Sequence, residues 1–467
     1  MSDNADESLS RRFKAYIREF GVLRQTRREY WAVQIIAFLD YAAYFALMNI
    51  GVVFLSEDFG FTDSEAGQAF TLFASSVAVF LLLMGSVSDW LGIRGSVCAS
   101  MLGLLILRAV LVLCSLCPDL PYRGVIVTVD LGLMAPFVAL WQTTWNSANK
   151  RFTNEHSRGA GFNLAYLAMN AGAVVAGLLI DLVRLQLHLP NGWIMVFGLF
   201  TAAVGVVISL GLVRREEEAC VATDSSARRP EHPRHPLASS WLVVREAAFW
   251  RFIVLVILLL GVKAVFVWGP FITMKYALRV VGPDAAIGTL STINPTVIVL
   301  GLIVLIPVLR RFNVFSMLVY GAMVTGASLF VLVIPSWGST AYVLLIVHTV
   351  ILSVGELIWS PRLSEYTVAI APRGQEGTYV GLASFPWFVA KTIASALSGY
   401  MLVRWIPELP NGSLLRDRLA AGQVPFWDSP SALWLVLGLV ALAGPVIALF
   451  LRNWFTTPAR QEEKILR

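Results

Sequence analysis

The sequence predicts an all-α membrane protein in which twelve transmembrane helices form two six-helix bundles, with both termini in the cytoplasm. Of the 467 residues, 57% are hydrophobic and only 14% are charged, whereas a soluble domain carries about a quarter charged residues. The chain contains about twelve apolar runs of about 20 residues, the length that crosses a bilayer. One long polar segment, 214–249, separates the first six runs from the last six.

The apolar runs follow one another with short polar breaks. They begin near Trp31, Ala66, Ser96, Val125, Ala160, Trp193, Phe252, Ile287, Val314, Ala341, Thr378 and Ala432. We therefore expect an N-terminal bundle at 31–213, a C-terminal bundle at 250–453 and polar tails at 1–30 and 454–467. The segment between the bundles contains RREEE and ARRPEHPRHP. Its charge and proline content exclude a spanning helix, so we interpret 214–249 as a cytosolic linker.

The positions of the basic residues predict the orientation. Arg94, Arg158, Arg310 and Arg373 fall in alternate loops, as do the linker arginines, and most of the intervening loops are poorer in base. Because positively charged loops stay on the cytoplasmic side, both termini are expected there. No signal-peptide pattern opens the chain. We expect an integral, multi-pass protein of the bacterial inner membrane, working as a monomer in the lipid bilayer.

Composition also bears on other classes of function. The net charge of +6 resides in short loops, which is typical of membrane topology and not of a nucleic-acid-binding surface. Four cysteines support no disulfide framework. The sequence contains no Walker loop and no recognisable catalytic set or metal cluster. We therefore expect no enzyme activity, no cofactor and no nucleic-acid partner, with a proton gradient as the energy source.

Glu356 is the first candidate for a functional site. It lies within the apolar run that begins near Ala341, where an ionisable side chain costs at least ~2.5 kcal/mol to insert. Such a residue normally faces a cavity or a partner. The alternative is a carboxylate that only hydrogen-bonds a neighbouring helix.

A loop between the second and third predicted spans carries a recognisable motif, GSVSDWLGIRG. It resembles the cytoplasmic loop signature of the major facilitator superfamily, with matches at Gly85, Asp89, Gly92 and Arg94. Trp90 and Ile93 stand where the signature has basic residues. The resemblance implies a cytoplasmic gate, in which glycines allow a tight turn, the aspartate accepts hydrogen bonds from a helix N-terminus and the arginine is a breakable charge partner.

Three further stretches narrow the resemblance. GELIWSPRLS (Gly355–Ser364), RGAGFNLAYLAMNAGA (Arg158–Ala173) and INPTVIVLGLIVLIP (Ile293–Pro307) are similar to the tenth, fifth and eighth helices of proton-coupled oligopeptide transporters. The resemblance implies two bundles around a central cavity and proton-driven movement of a small-molecule substrate. It implies that Glu356 meets the positive group of that substrate. On this basis the candidate substrate-binding residues are Glu356, Tyr44, Asn170, Trp359 and Asn294.

The departures from that family concern its charged residues. Asp40 stands at the second acid of the first helix, but Ala37 and Tyr41 replace the first acid and the arginine. Ala135 replaces a lysine that meets the substrate carboxylate, and Lys263 stands on the seventh helix where an acid is expected. These departures favour a peptide-like or amino-acid-like solute over a free peptide.

The departures suggest a hypothesis about proton coupling. An acid on the first helix and a base on the seventh would form a charge-swapped pair, Asp40 with Lys263, that is broken or protonated during transport. The alternative is that each is satisfied separately. Glu356 and Asp130 are the other candidates for proton coupling. Lys391 is expected at a helix end, in a gate or an interface.

Two other classes of function remain open on the same fold. One is an exporter of amphipathic compounds, which predicts a wide apolar cavity and little dependence on Glu356 for neutral solutes. The other is a non-transporting membrane sensor or assembly factor, which predicts binding without flux.

Overall fold

The structure is a computed structural model that describes residues 21–153, 155–212, 247–309, 313–370, 376–409 and 413–455. Within these ranges the regular structure is helical, with no β-strand, which confirms the all-α class. The predicted linker, 214–249, lies almost wholly outside the described residues. Most of each predicted tail, 1–30 and 454–467, lies outside them as well.

Among the described residues, five long helices form the first part of the chain. They are α1 (Arg28–Phe59), α2 (Asp63–Leu116), α3 (Arg123–Arg151), α4 (Glu155–Asp181) and α5 (Gly192–Leu210). Helix α2 has 54 residues and contains two predicted spans, which are separated at Gly92, where φ is 72° and ψ is 170°. This left-handed backbone is strained for residues with a Cβ atom. The motif glycine is therefore the point at which the second span gives way to the third.

Among the described residues, eight α-helices of at least six residues follow in the second part of the chain. They are α6 (Ala247–Leu258), α7 (Leu260–Trp268), α8 (Ile287–Leu309), α9 (Val314–Ala327), α10 (Gly338–Ile370), α11 (Glu376–Trp405), the short α12 (Leu415–Ala420) and α13 (Pro430–Phe450). Helix α7 continues into π-helical turns at Gly269–Thr273 and Ala277–Val281. Because Pro270 has no backbone N–H to donate, a local widening of the helix is expected there.

Nine helical stretches among the described residues are long and apolar enough to cross a membrane. They are Arg28–Phe59, Trp90–Leu116, Arg123–Asn149, Ala160–Gln186, Gly192–Leu210, Leu260–Val281, Val314–Val333, Gly338–Ser360 and Pro430–Phe450. Ile287–Gly301 in α8 is a shorter apolar helix. The chain is therefore an integral, multi-pass membrane protein.

The chain divides into two compact units. The first comprises Met1–Pro230 and Ala286–Pro307, and the second comprises Glu231–Ala285 and Val308–Arg467. Most of α8 therefore lies in the first unit, although the sequence placed this helix within the predicted bundle 250–453.

Asp181, at the end of α4, explains how α8 is attached to the first unit. One carboxylate oxygen accepts the Gly288 N–H at 2.7 Å, and the other accepts the Thr289 N–H and hydroxyl, each at 2.6 Å. The first N–H groups of a helix have no partner within that helix, and its N-terminus carries partial positive charge. The Asp181 carboxylate of α4 accepts hydrogen bonds from these N–H groups of α8 and places a negative charge at the N-terminus of that helix.

Candidate functional site

Asp40 and Arg108 form a buried ion pair within the first unit. The Asp40 Oδ1 atom lies 2.7 Å from Arg108 Nη2, and the side chains are 5% and 6% exposed. Arg108 Nη1 also donates to the Gly198 carbonyl at 3.1 Å and to Thr201 Oγ1 at 3.2 Å. Helices α1, α2 and α5 are thus joined through one guanidinium group.

This pair corrects the partner that the sequence suggested for Asp40. The sequence left two alternatives for Asp40, a pair with Lys263 or a separate partner. The aspartate is bound by Arg108, a partner that the sequence analysis did not name. The signal was present, because an arginine interrupts the apolar run LLILRAVLVL. A charge at such a depth seldom lacks a partner.

Asp130, on α3, is a second buried acid of the first unit. The residue is 3% exposed, and neither carboxyl oxygen has a hydrogen-bond partner in the part of the chain that the structure describes. An ionised carboxylate without a partner is costly in such surroundings, whereas a neutral carboxyl group costs much less. Asp40 and Asp130 are therefore similarly buried acids, but Asp40 is paired with a cation and Asp130 has no hydrogen-bond partner among the described residues.

The candidate Tyr44 belongs to an aromatic cluster on α1 and α3. Its ring lies 5.6 Å from that of Phe45 and 6.4 Å from that of Tyr41, and the Tyr41 ring lies 5.1 Å from Trp145. Tyr44 and Phe45 are half-buried, so this cluster presents aromatic surface together with one hydroxyl group.

Asn170 and Asn294 lie on α4 and α8 of the same unit. The Asn170 amide donates to the Tyr166 carbonyl of its own helix at 2.9 Å, and Asn294 is half-buried. Gly172, two residues after Asn170, contacts α1 so closely that a Cβ atom would lie 2.8 Å from the Phe38 carbonyl oxygen. Helix packing thus explains the glycine of this motif, while contact of either asparagine with a solute stays a prediction.

The gate motif is described in part. Gly92 produces the break in α2, and Gly85 lies within the helix with open space around it. Arg94 Nη2 donates to the carbonyl of Leu210, the last residue of α5, at 3.2 Å. The side chain of Asp89 lies outside the described residues, so its gating role stays a prediction.

In the second unit, Lys263 and Glu356 are neighbours on α7 and α10. The Lys263 ammonium lies 5.8 Å from the ring centre of Phe266 and 5.7 Å from that of Trp359. It is also within electrostatic range of the Glu356 carboxylate. Lys263 is exposed and Glu356 is half-buried, so a solute in contact with this part of the unit would meet both charges.

Trp359 is packed more deeply than the sequence suggested. The residue is 1% exposed within a core of aliphatic and aromatic residues, and its indole Nε1 donates to Thr325 Oγ1 at 3.2 Å. Gly355, one turn earlier, permits this contact, because a Cβ atom there would lie 2.6 Å from the Thr325 nitrogen. The indole thus supports Lys263 from the core; direct contact of Trp359 with a substrate stays a prediction.

Lys391 was expected at a helix end, but it lies in the middle of α11. It is half-buried and within electrostatic range of Lys263. The surrounding apolar sequence, FPWFVAKTIASAL, could have indicated this placement. The second unit thus combines two lysines with one glutamate on three helices.

Comparisons with known proteins agree with this architecture. The family model of the Major Facilitator Superfamily matches residues 33–395. Comparison with curated protein sequences gives no significant match. Among solved structures, the POT family transporter PepTSo has a TM-score of 0.70 at 14% identity, over 92% of this chain and 98% of that chain.

Two other similar structures have titles that mention a bound compound or a functional state. A POT family transporter in complex with 5-aminolevulinic acid has a TM-score of 0.68 at 15% identity, over 92% of this chain and 97% of that chain. An auto-inhibited POT family peptide transporter has a TM-score of 0.66 at 16% identity, over 91% and 97%. The chain therefore belongs to the major facilitator superfamily and is a membrane transporter with a POT-like fold, not an enzyme.

Proposed function

We propose that the chain is a proton-driven secondary transporter that moves a small peptide-like or amino-acid-like solute by alternating access. In this proposal twelve helices cross a bacterial inner membrane, both termini are cytoplasmic, and the monomer needs no cofactor. The family assignment and the POT-like fold support it.

Glu356 is the observation that carries the proposal. Its carboxylate is half-buried on the membrane helix α10 and lies within electrostatic range of Lys263. An acidic residue at membrane depth usually has a functional role, because burying its charge in the bilayer is costly. The resemblance to oligopeptide transporters implies that this acid receives the positively charged group of the solute.

The charges of the first unit favour a solute smaller than a peptide. Ala135, at the position of the lysine that meets a peptide carboxylate, is fully buried. Arg108 is already bound to Asp40, and removing a buried charge from its partner is strongly unfavourable. One structurally similar transporter was solved with 5-aminolevulinic acid, which is an amino acid of this smaller class.

Asp130 is our preferred proton carrier within the first unit. Asp40 is balanced by Arg108, whereas Asp130 has no hydrogen-bond partner among the described residues. A carboxyl group that loses its proton there has no compensating charge, so protonation and conformational change would be coupled. We expect Asp130→Asn to retain solute binding and equilibrium exchange but to lose accumulation driven by a pH gradient.

The test is uptake into proteoliposomes under an imposed pH gradient, with di- and tripeptides, amino acids and amine-bearing metabolites as solutes. We expect wild-type protein to accumulate a peptide-like or amino-acid-like solute and Glu356→Gln to abolish this uptake. Glu408→Gln is the matched control, because Glu408 is a 76% exposed acid of the same unit that pairs with Arg279. Absence of flux for every such solute with folded protein, or full activity of Glu356→Gln, would refute the proposal.

A further inference from the structure

Three arginines form a basic patch at the start of α1. Arg24 lies in the 3-10 turn Val22–Gln25, Arg27 is the N-cap residue of α1 and Arg28 is its first residue. Arg24 and Arg27 are exposed, and their side chains form no hydrogen bond or ion pair with another described residue. The Arg28 side chain is 79% exposed, and its Nε atom lies 3.0 Å from Glu29 Oε1. The basic patch therefore presents two guanidinium groups that no described acid neutralises.

Buried contacts fix the backbone that carries the basic patch. Leu23 is fully buried, and its carbonyl accepts the Thr26 N–H at 3.0 Å and the Thr26 hydroxyl at 2.6 Å. Tyr30 is fully buried as well, and its hydroxyl donates to the Gly161 carbonyl of α4 at 3.0 Å. A ligand of the patch therefore loses less affinity to ordering of the chain than a ligand of a free tail would.

Exposed apolar side chains continue from the basic patch along α1. Trp31 and Ile35, 41% and 51% exposed, follow Arg28 by three and seven residues, and this spacing places them on one face of the helix. At about 1.5 Å per residue, they lie about 5 and 11 Å beyond Arg28 along the axis. The polar layer on each side of a bilayer is about 5–8 Å thick. The face therefore passes from phosphate depth through the interface into the hydrocarbon.

We propose that the basic patch, together with Trp31 and Ile35, binds an anionic phospholipid such as phosphatidylglycerol. Guanidinium groups form charge-assisted, bidentate hydrogen bonds with a phosphate. The Trp31 indole suits the interface below the headgroup, and an acyl chain can pack on Ile35. A zwitterionic headgroup carries its own cation, so it gains less from the arginines. The inference concerns a lipid partner and goes beyond the transported solute.

The opposite end of α1 has a different charge pattern. Glu57 and Asp58 lie in its last turn, and Glu57 is bound to Arg184 at 2.7 Å. Acidic residues at a membrane surface repel an anionic headgroup, whereas unneutralised arginines attract it. The charges of this helix thus assign the anionic lipid to the leaflet at its start, which is the cytoplasmic leaflet in the orientation proposed above.

The test is native mass spectrometry of the full chain in detergent, titrated with phosphatidylglycerol or phosphatidylcholine of identical acyl chains. The two lipids differ in headgroup charge, so the ratio of their dissociation constants measures the preference for an anion. One basic residue near a membrane surface gives about a fivefold gain for anionic lipid. We expect wild-type protein to prefer phosphatidylglycerol about 25- to 100-fold, and the double variant Arg24→Gln/Arg27→Gln to lower this preference about 10- to 25-fold.

Matched variants separate the basic patch from net charge. Arg24→Lys/Arg27→Lys should retain most of the preference, because the charge is kept. Arg404→Gln/Arg416→Gln removes the same number of charges at arginines that are each paired with an aspartate, and it should leave the preference unchanged. Trp31→Ala should weaken the binding of both lipids by a similar factor, since the indole contacts the part that they share. The arginine variants should melt at the wild-type temperature, because these side chains are exposed.

Four outcomes would overturn the lipid site. They are equal affinity of wild-type protein for the two lipids, an unchanged preference in Arg24→Gln/Arg27→Gln, an equal loss in the control pair, and displacement of phosphatidylglycerol by inorganic phosphate at the ionic strength of a chloride control. The other candidate occupant is the acidic segment of the chain that contains Asp3, Asp6 and Glu7. If phosphatidylglycerol binds selectively only after these three are changed to Asn, Asn and Gln, that segment occupies the patch and the lipid proposal fails.

Discussion

The ion pair between Asp40 and Arg108 gives a quantitative prediction for stability. Asp40→Asn keeps the shape of the side chain but leaves the 6% exposed Arg108 without its counter-charge. Removing one partner of a buried pair costs about 3–5 kcal/mol. The Gly198 carbonyl and Thr201 hydroxyl remain as acceptors, and asparagine retains one acceptor oxygen, so we expect about 3 kcal/mol.

Substitution of the other partner, Arg108, should lower stability by less. Arg108→Met leaves a carboxylate, which can be neutralised by taking up a proton, whereas an arginine in a protein cannot lose its proton. The double variant contains no buried charge at this position. It should therefore be more stable than the sum of the two single losses predicts, by about 2–3 kcal/mol.

The assay is equilibrium unfolding in mixed micelles with increasing denaturing detergent, followed by circular dichroism. Asp130→Asn is the matched control, because Asp130 is as buried as Asp40 but has no partner among the described residues. It should leave the free energy of unfolding unchanged or raise it. Strict additivity of the Asp40 and Arg108 changes, or a loss for Asp40→Asn below about 0.5 kcal/mol, would refute the reasoning.

Two further predictions concern positions where local geometry determines the residue. Gly92→Ala should lower the free energy of unfolding by about 1–2 kcal/mol, because φ is 72° there. Gly85→Ala, in open space within the helix, should be neutral or stabilising in the same detergent unfolding assay. Trp359→Phe removes the N–H that binds Thr325 and should lower the free energy of unfolding in detergent by about 1–3 kcal/mol. Trp454→Phe, at a partly exposed indole, is the control and should cost less. Equal losses in the two variants would contradict this interpretation.

The helical class of the fold followed from the sequence because apolar length is a property of each segment by itself. The start of each predicted run lies within a helix, and the motif glycine Gly92 marks the break between two of the runs. The pairing of charges depends instead on which helices pack together, and the sequence does not encode that in any single run. For this reason Arg108 was overlooked as the partner of Asp40.

The candidate site was predicted only in outline. Glu356 could be identified because one acid interrupts an apolar run, and the structure adds the neighbour, Lys263, that gives this acid a chemical context. The placement of Lys391 and the burial of Trp359 depend on how their helices are rotated about their own axes. An almost wholly apolar segment has only weak periodicity, so its sequence does not determine that rotation.

The attachment of α8 to Asp181 also has a consequence for hydrogen exchange. The amides of Gly288 and Thr289 have no acceptor within their own helix, so their protection from exchange with solvent depends on the aspartate. The Gly192 amide at the start of α5 is held in the same way by Asp58 and serves as an internal reference. Deuterium uptake at Gly288 and Thr289, relative to Gly192, therefore reports how often α8 separates from α4.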